Sequence, residues 1–110
     1  MIDWERVSDL RGEVGPEDFG EVVQLFLAEV EAVVERLRDD PDPARFEEDL
    51  HFLKGSALNL GFDALGALCQ AGESAAAQGS AESVALGPIL SCYDDSRAAF
   101  LAGLDEGLAA

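Results

Sequence analysis

Between Phe19 and Leu37 the apolar residues fall at Phe19, Val22, Val23, Phe26, Val30, Val33, Val34 and Leu37. Steps of three and four place them along one side of an α-helix, whereas a strand would need them at every second position. The stripe runs for about five turns, and a stripe that long is stable only when other elements cover it. Arg36 and Arg38 stand where the helix dipole favours cations, at the expected C-terminal end. The chain is thereby committed to packing helices on helices, and no other segment alternates as a strand would.

The remaining elements follow from their punctuation. Asp3 can cap a short helix to about Arg11, with Trp4, Val7 and Leu10 on one face and Gly12 to Gly15 as its break. Pro16 suits the first turn of the long helix, with Glu17 and Asp18 at its positive end. Asp39-Asp40-Pro41-Asp42-Pro43 reads as a turn in which Asp42 caps a third helix that runs to Leu60. Gly61 supplies a stop, and a fourth helix spans about Asp63 to Gln78. The last helix, with Ile89, Cys92, Tyr93, Ser96, Phe100 and Leu104 at heptad-like spacing, is expected from Pro88, because Gly87-Pro88 must start it afresh or kink it. Short connections favour antiparallel neighbours. The expected fold is all-α: an antiparallel four-helix bundle over about residues 16–108 with an additional short N-terminal helix, and residues 1–110 form one domain.

Bulk properties narrow the function classes. The 110 residues carry 23 acidic side chains against 7 Lys and Arg, a formal net charge of −16. Such a surface repels phosphate backbones and anionic membranes, so no nucleic-acid or membrane partner is expected. No apolar run approaches the roughly 20 residues that cross a bilayer, and the N-terminal residues lack a secretory pattern, which points to the cytoplasm. Cys69 and Cys92 stand far apart without CxxC spacing and are expected as thiols. One histidine, two separated cysteines and scattered carboxylates offer neither a catalytic triad nor an HExxH or CxxC metal set. No P-loop or other nucleotide fingerprint occurs.

Winding Pro43 to Leu60 at about 100° per residue gathers Phe46, Leu50, Leu53, Ala57 and Leu60 into one apolar arc. His51, the chain's single histidine, lies nearly opposite that arc and should face solvent. Glu47, Glu48, Lys54 and Gly55 flank it at i−4, i−3, i+3 and i+4. Lys54, the single lysine, stands one turn away, where it can neutralise an anion placed on the ring. Gly55 costs about 1 kcal/mol relative to alanine inside a helix, and the return for that cost is clearance beside the imidazole; a merely tolerated helix glycine is the alternative. Leu58 projects on the same side, as a seat for a partner or as an ordinary exposed leucine.

The run His51-Phe52-Leu53-Lys54-Gly55-Ser56-Ala57-Leu58-Asn59-Leu60-Gly61 resembles the HxLKGSxxxxG signature of histidine-containing phosphotransfer domains, and Leu65, Leu68, Cys69 and Glu73 continue the similarity. The resemblance covers roughly residues 19–105. It departs at Gly72, where the family commonly carries a larger apolar residue, and at Gly87-Pro88. The resemblance implies that His51 is the phosphoacceptor, that Lys54 neutralises the phosphate, that Gly55 clears the partner's approach and that Ser56 supports the site. Ser56 turns toward the core, so bonding a backbone carbonyl one turn back is its alternative role.

By the same resemblance, the partners are receiver domains of response regulators and hybrid histidine kinases. A receiver aspartyl phosphate donates to a ring nitrogen of His51, most naturally Nε2, and a second receiver takes the group onward. Mg²⁺ then belongs to the receiver, and this chain needs no cofactor and no autokinase activity of its own. Glu47 or Glu48 could raise the ring's basicity or could simply be solvated. A monomer is expected, with dimerisation left open by the apolar stripes. The competing reading is a non-phosphorylated helical interaction module.

Overall fold

A computed structural model describes residues 1–109. Five α-helices follow in order: α1 (Trp4–Val14), α2 (Phe19–Asp39), α3 (Phe46–Leu60), α4 (Asp63–Ala77) and α5 (Leu86–Asp105). Short 3-10 turns at Pro43–Arg45 and Ala81–Ser83 lead into α3 and α5. The described residues contain no strand, only an isolated bridge between Ile2 and Phe62. The all-helical expectation is met.

One apolar core joins all five helices. Leu37 of α2, Leu50, Leu53 and Leu60 of α3, Leu65 of α4, and Tyr93 and Phe100 of α5 are fully buried, with Val7 of α1 closing one end. Burying each such aliphatic side chain contributes about 2 kcal/mol, so the stripes read from the sequence are the main source of cohesion. The arc predicted for α3, Phe46, Leu50, Leu53, Ala57 and Leu60, is buried throughout. Asp49 is buried beside it, paired with Arg36 of α2. That pair ties α3 to α2 through charge as well as packing.

Helix ends differ from the sequence reading at four points, the first being α3, which begins at Phe46 because Asp42 caps the separate 3-10 turn over Pro43–Arg45. α1 passes through Gly12 and stops at Gly15, whose φ of 90° a side-chain-bearing residue rarely adopts, because half-buried Val14 still packs on the core. α2 starts at Phe19 rather than Pro16, since residues 15–18 form the reversal between helices, with the Asp18 N–H donating to the Gly15 carbonyl at 3.1 Å. α5 starts at Leu86, and Pro88 falls in its first turn, where a missing N–H removes no intrahelical bond. Gly87-Pro88 therefore neither breaks nor restarts the helix.

The end of α3 is tied by hydrogen bonds both within its own turn and to the N-terminal segment. Gly61 adopts φ 81°, the Phe62 N–H donates to the Ala57 carbonyl at 2.7 Å, and the Gly61 N–H donates to Leu58 at 3.3 Å, closing a Schellman turn. A Cβ at Gly61 would stand 2.7 Å from the Asp3 carbonyl oxygen, so the glycine also admits the N-terminal segment. The Asp3 N–H donates to the Gly61 carbonyl at 2.7 Å, and Arg6 Nε donates to Asn59 at 3.2 Å. α1 is thus latched onto the C-terminus of α3, where the α3–α4 pair begins.

Candidate functional site

His51 stands on the outer face of α3 with 69% of its side chain exposed, as the helical winding predicts. Its ring is not free, however. Nδ1 lies 2.6 Å from Oε2 of Glu73 on α4. The other oxygen of the same carboxylate, Oε1, lies 2.6 Å from Nζ of Lys54. Lys54 also donates to Oε1 of Gln70 at 3.1 Å, and Gln70 Nε2 donates to the Ser74 hydroxyl at 3.0 Å. One carboxylate therefore bridges the chain's single histidine and its single lysine across the α3–α4 interface.

The charge state of Glu73 decides the tautomer of His51. Lys54 holds the carboxyl below the ordinary carboxylate range, the His51 contact adds to this, and partial burial opposes it. An ionised carboxylate only accepts, so Nδ1 must carry the proton that bridges to Glu73. In the neutral ring the lone pair then resides on Nε2. Among the described residues Nε2 has no hydrogen-bond partner, and the ring projects toward solvent. The arrangement presents an oriented nitrogen nucleophile with a carboxylate behind it.

The other expected residues take distinct places. Lys54 is beside the imidazole but committed to Glu73 and Gln70, with 22% of its side chain exposed. Gly55 is exposed, and a Cβ there would meet nothing within 4 Å, so the surface next to the ring is open. Ser56 is half-buried and stands outside the hydrogen-bonded set around the ring. Leu58 is 52% exposed, lying over Gly66 of α4. Glu47 and Glu48 line an open cleft of about 500 Å³ with Ala44, His51 and Glu73. The carboxylate that touches the ring is Glu73, not either of these two.

Glu73 is the ring contact that reading one helix at a time does not single out. A signal exists all the same: Leu65, Cys69 and Glu73 fall at i, i+4 and i+8, so Glu73 continues the buried stripe of α4. An acid that prolongs an apolar face toward a neighbouring helix needs a cation or donor there. Cys69 within that stripe is a buried free thiol, its pKa pushed up to about 12 mainly by burial, and Cys92 is free as well. Among the described residues no group of three or more His, Cys, Asp or Glu side chains is arranged to hold a metal ion, and no helix is long and apolar enough to cross a membrane.

The family model of the Hpt domain matches residues 21–108. No curated protein and no solved structure matches the chain. Hpt domains are phosphocarrier modules of two-component signalling that interact with receiver domains. The match takes in all of α3 and α4, with the exposed, carboxylate-backed histidine in its first half; the chain belongs to the Hpt domain family.

Proposed function

We propose that this Hpt domain carries a phosphoryl group on Nε2 of His51, accepting it from the aspartyl phosphate of one receiver domain and yielding it to the aspartate of another. The observation that carries the reading is the hydrogen bond from Nδ1 to Glu73 at 2.6 Å on an otherwise exposed ring. In the acceptance step the Nε2 lone pair forms the N–P bond while the acyl O–P bond breaks and the receiver's carboxylate leaves. The ring becomes cationic as that bond forms. Glu73, already opposite the Nδ1–H, stabilises this charge without reorganising. In the donation step the same bonds form and break in reverse.

Lys54 is assigned to neutralising the phosphoryl oxygens, from its station one turn along α3. Gly55 gives a receiver's backbone room to approach in line, and Ser56 supports the helix beneath. The receiver supplies Mg²⁺ and the acidic pocket, and this chain acts as carrier without autokinase activity. The reading includes α2 to α5 as an antiparallel bundle with α1 latched across one end, a single domain acting as a cytoplasmic monomer.

The test is incubation with phosphorylated receivers from the same genome. The protein should acquire acid-labile label, and His51→Gln should acquire none while keeping its helix content and melting temperature, because the residue it replaces faces solvent. Undiminished labelling of His51→Gln would remove His51 from the reaction. Receiver binding without any labelling of the native protein would favour a pure interaction module.

A further inference from the structure

Between α1, α2, α5 and the residues that follow α5 lies a second cavity, open to solvent on one side, that shares no residue with the His51 cleft. Its volume is about 430 Å³, within the range of small-molecule sites. Phe19, Val23 and Leu27 of α2 and Leu101 and Leu104 of α5 give it apolar walls. Arg11, near the end of α1, is its one charged lining residue.

Arg11 differs from most cations of the molecule and shares only with the exposed Arg45 the lack of a carboxylate within 4.0 Å among the described residues. Acids outnumber Lys and Arg by 23 to 7, and most of the other cations have found one: Arg6 pairs with Glu13, Arg36 with Asp49, Arg38 with Asp94, Lys54 with Glu73 and Arg97 with Glu31. Half-buried Arg11 has no carboxylate within 4.0 Å among the described residues. It lines the cavity together with the apolar side chains. A neutral apolar occupant would leave this guanidinium desolvated and unpaired, and a cationic one would be repelled. A second copy of the chain brings another net charge of −16 against the first.

We propose that the cavity binds a single-chain apolar carboxylate, its hydrocarbon against Phe19, Val23, Leu27, Leu101 and Leu104 and its carboxylate on Arg11. The guanidinium fork matches a carboxylate in two hydrogen bonds, which supplies orientation, and the apolar walls supply most of the affinity. A site of this kind prefers fatty carboxylates to alcohols of the same length and disfavours amines, by the charge of the head group.

Decanoate is the direct probe, titrated into the full protein by calorimetry and by amide chemical shifts. Saturable binding is expected, with shifts concentrated at Gly20 and Gly107, two further lining residues. Decanol should bind at least about tenfold more weakly. Arg11→Gln should reduce decanoate to the affinity of decanol and leave decanol unchanged, and Leu27→Trp should exclude both by filling the cavity. Phosphoryl acceptance from a receiver serves as the folding control for both variants. Failure of decanoate to saturate below about 1 mM would overturn the proposal, as would equal binding of decanol or native-like decanoate binding by Arg11→Gln.

Discussion

Glu73 holds the His51 imidazole and the Lys54 ammonium with one carboxylate, and the consequences can be measured residue by residue. Glu73→Gln keeps the shape and can still accept from Nδ1–H, but it removes the charge that stabilises the ring as the N–P bond forms. Transfer should slow by about tenfold with the fold intact, measured as single-turnover transfer from a phosphorylated receiver. An unchanged rate would mean that Glu73 only props up the α3–α4 interface. The pH dependence has a definite sign. Because Glu73 has a lower pKa folded than unfolded, its contacts contribute stability above the ordinary carboxylate range and lose it as pH falls through the depressed value. Imidazole ¹⁵N shifts of His51, followed from neutral to strongly acid pH, should report loss of the Glu73 contact in that acid window for the native protein and no such step for Glu73→Gln. Gly55 answers a different question. Gly55→Ala should raise stability by something under about 1 kcal/mol, since its Cβ meets nothing within 4 Å. Gly55→Gln should stay folded yet lose receiver affinity and transfer together; normal transfer by that variant would show that clearance is not the glycine's role.

At the scale of elements, α3 is the helix on which folding and chemistry meet. Its inner arc was legible because five apolar residues keep helical period, and His51 was legible as exposed because it lies opposite them. Asp49 was not, for its partner Arg36 belongs to α2, and a pairing between helices is invisible to the period of either one. Glu73 was missed as a ring contact for the same reason, whereas Glu47 and Glu48 were weighed as ring neighbours or solvated charges because sequence spacing reveals neighbours on one helix only. Helix ends went astray where packing overrode punctuation: Val14 carries α1 past Gly12, and Pro88 sits in a first turn that tolerates it. The Asp49 pair gives this scale its own test. Asp49 is buried while Arg36 is partly exposed and can turn to water, so Asp49→Ala should destabilise by about 2 kcal/mol, less than the loss of a fully buried pair. Urea melts measure this directly. A loss below about 0.5 kcal/mol would show that apolar packing alone sets the position of α3 on α2.

The whole molecule is an elongated acidic body, 43 × 21 × 20 Å, with the exposed His51 ring on the flank built by α3 and α4 and its apolar cavity between α1, α2 and α5. Separation of these two features means that the shape of the molecule can keep phosphotransfer independent of whatever fills the cavity. A carrier with one oriented nucleophile also makes one chemical commitment, the identity of the phosphorylated nitrogen. The most direct measurement is heteronuclear NMR on ¹⁵N-labelled protein phosphorylated by a receiver, correlating phosphorus with the imidazole nitrogens of His51. The account predicts phosphorus coupled to Nε2 with the proton retained on Nδ1 against Glu73. Phosphorus on Nδ1, or on any residue other than His51, would contradict it.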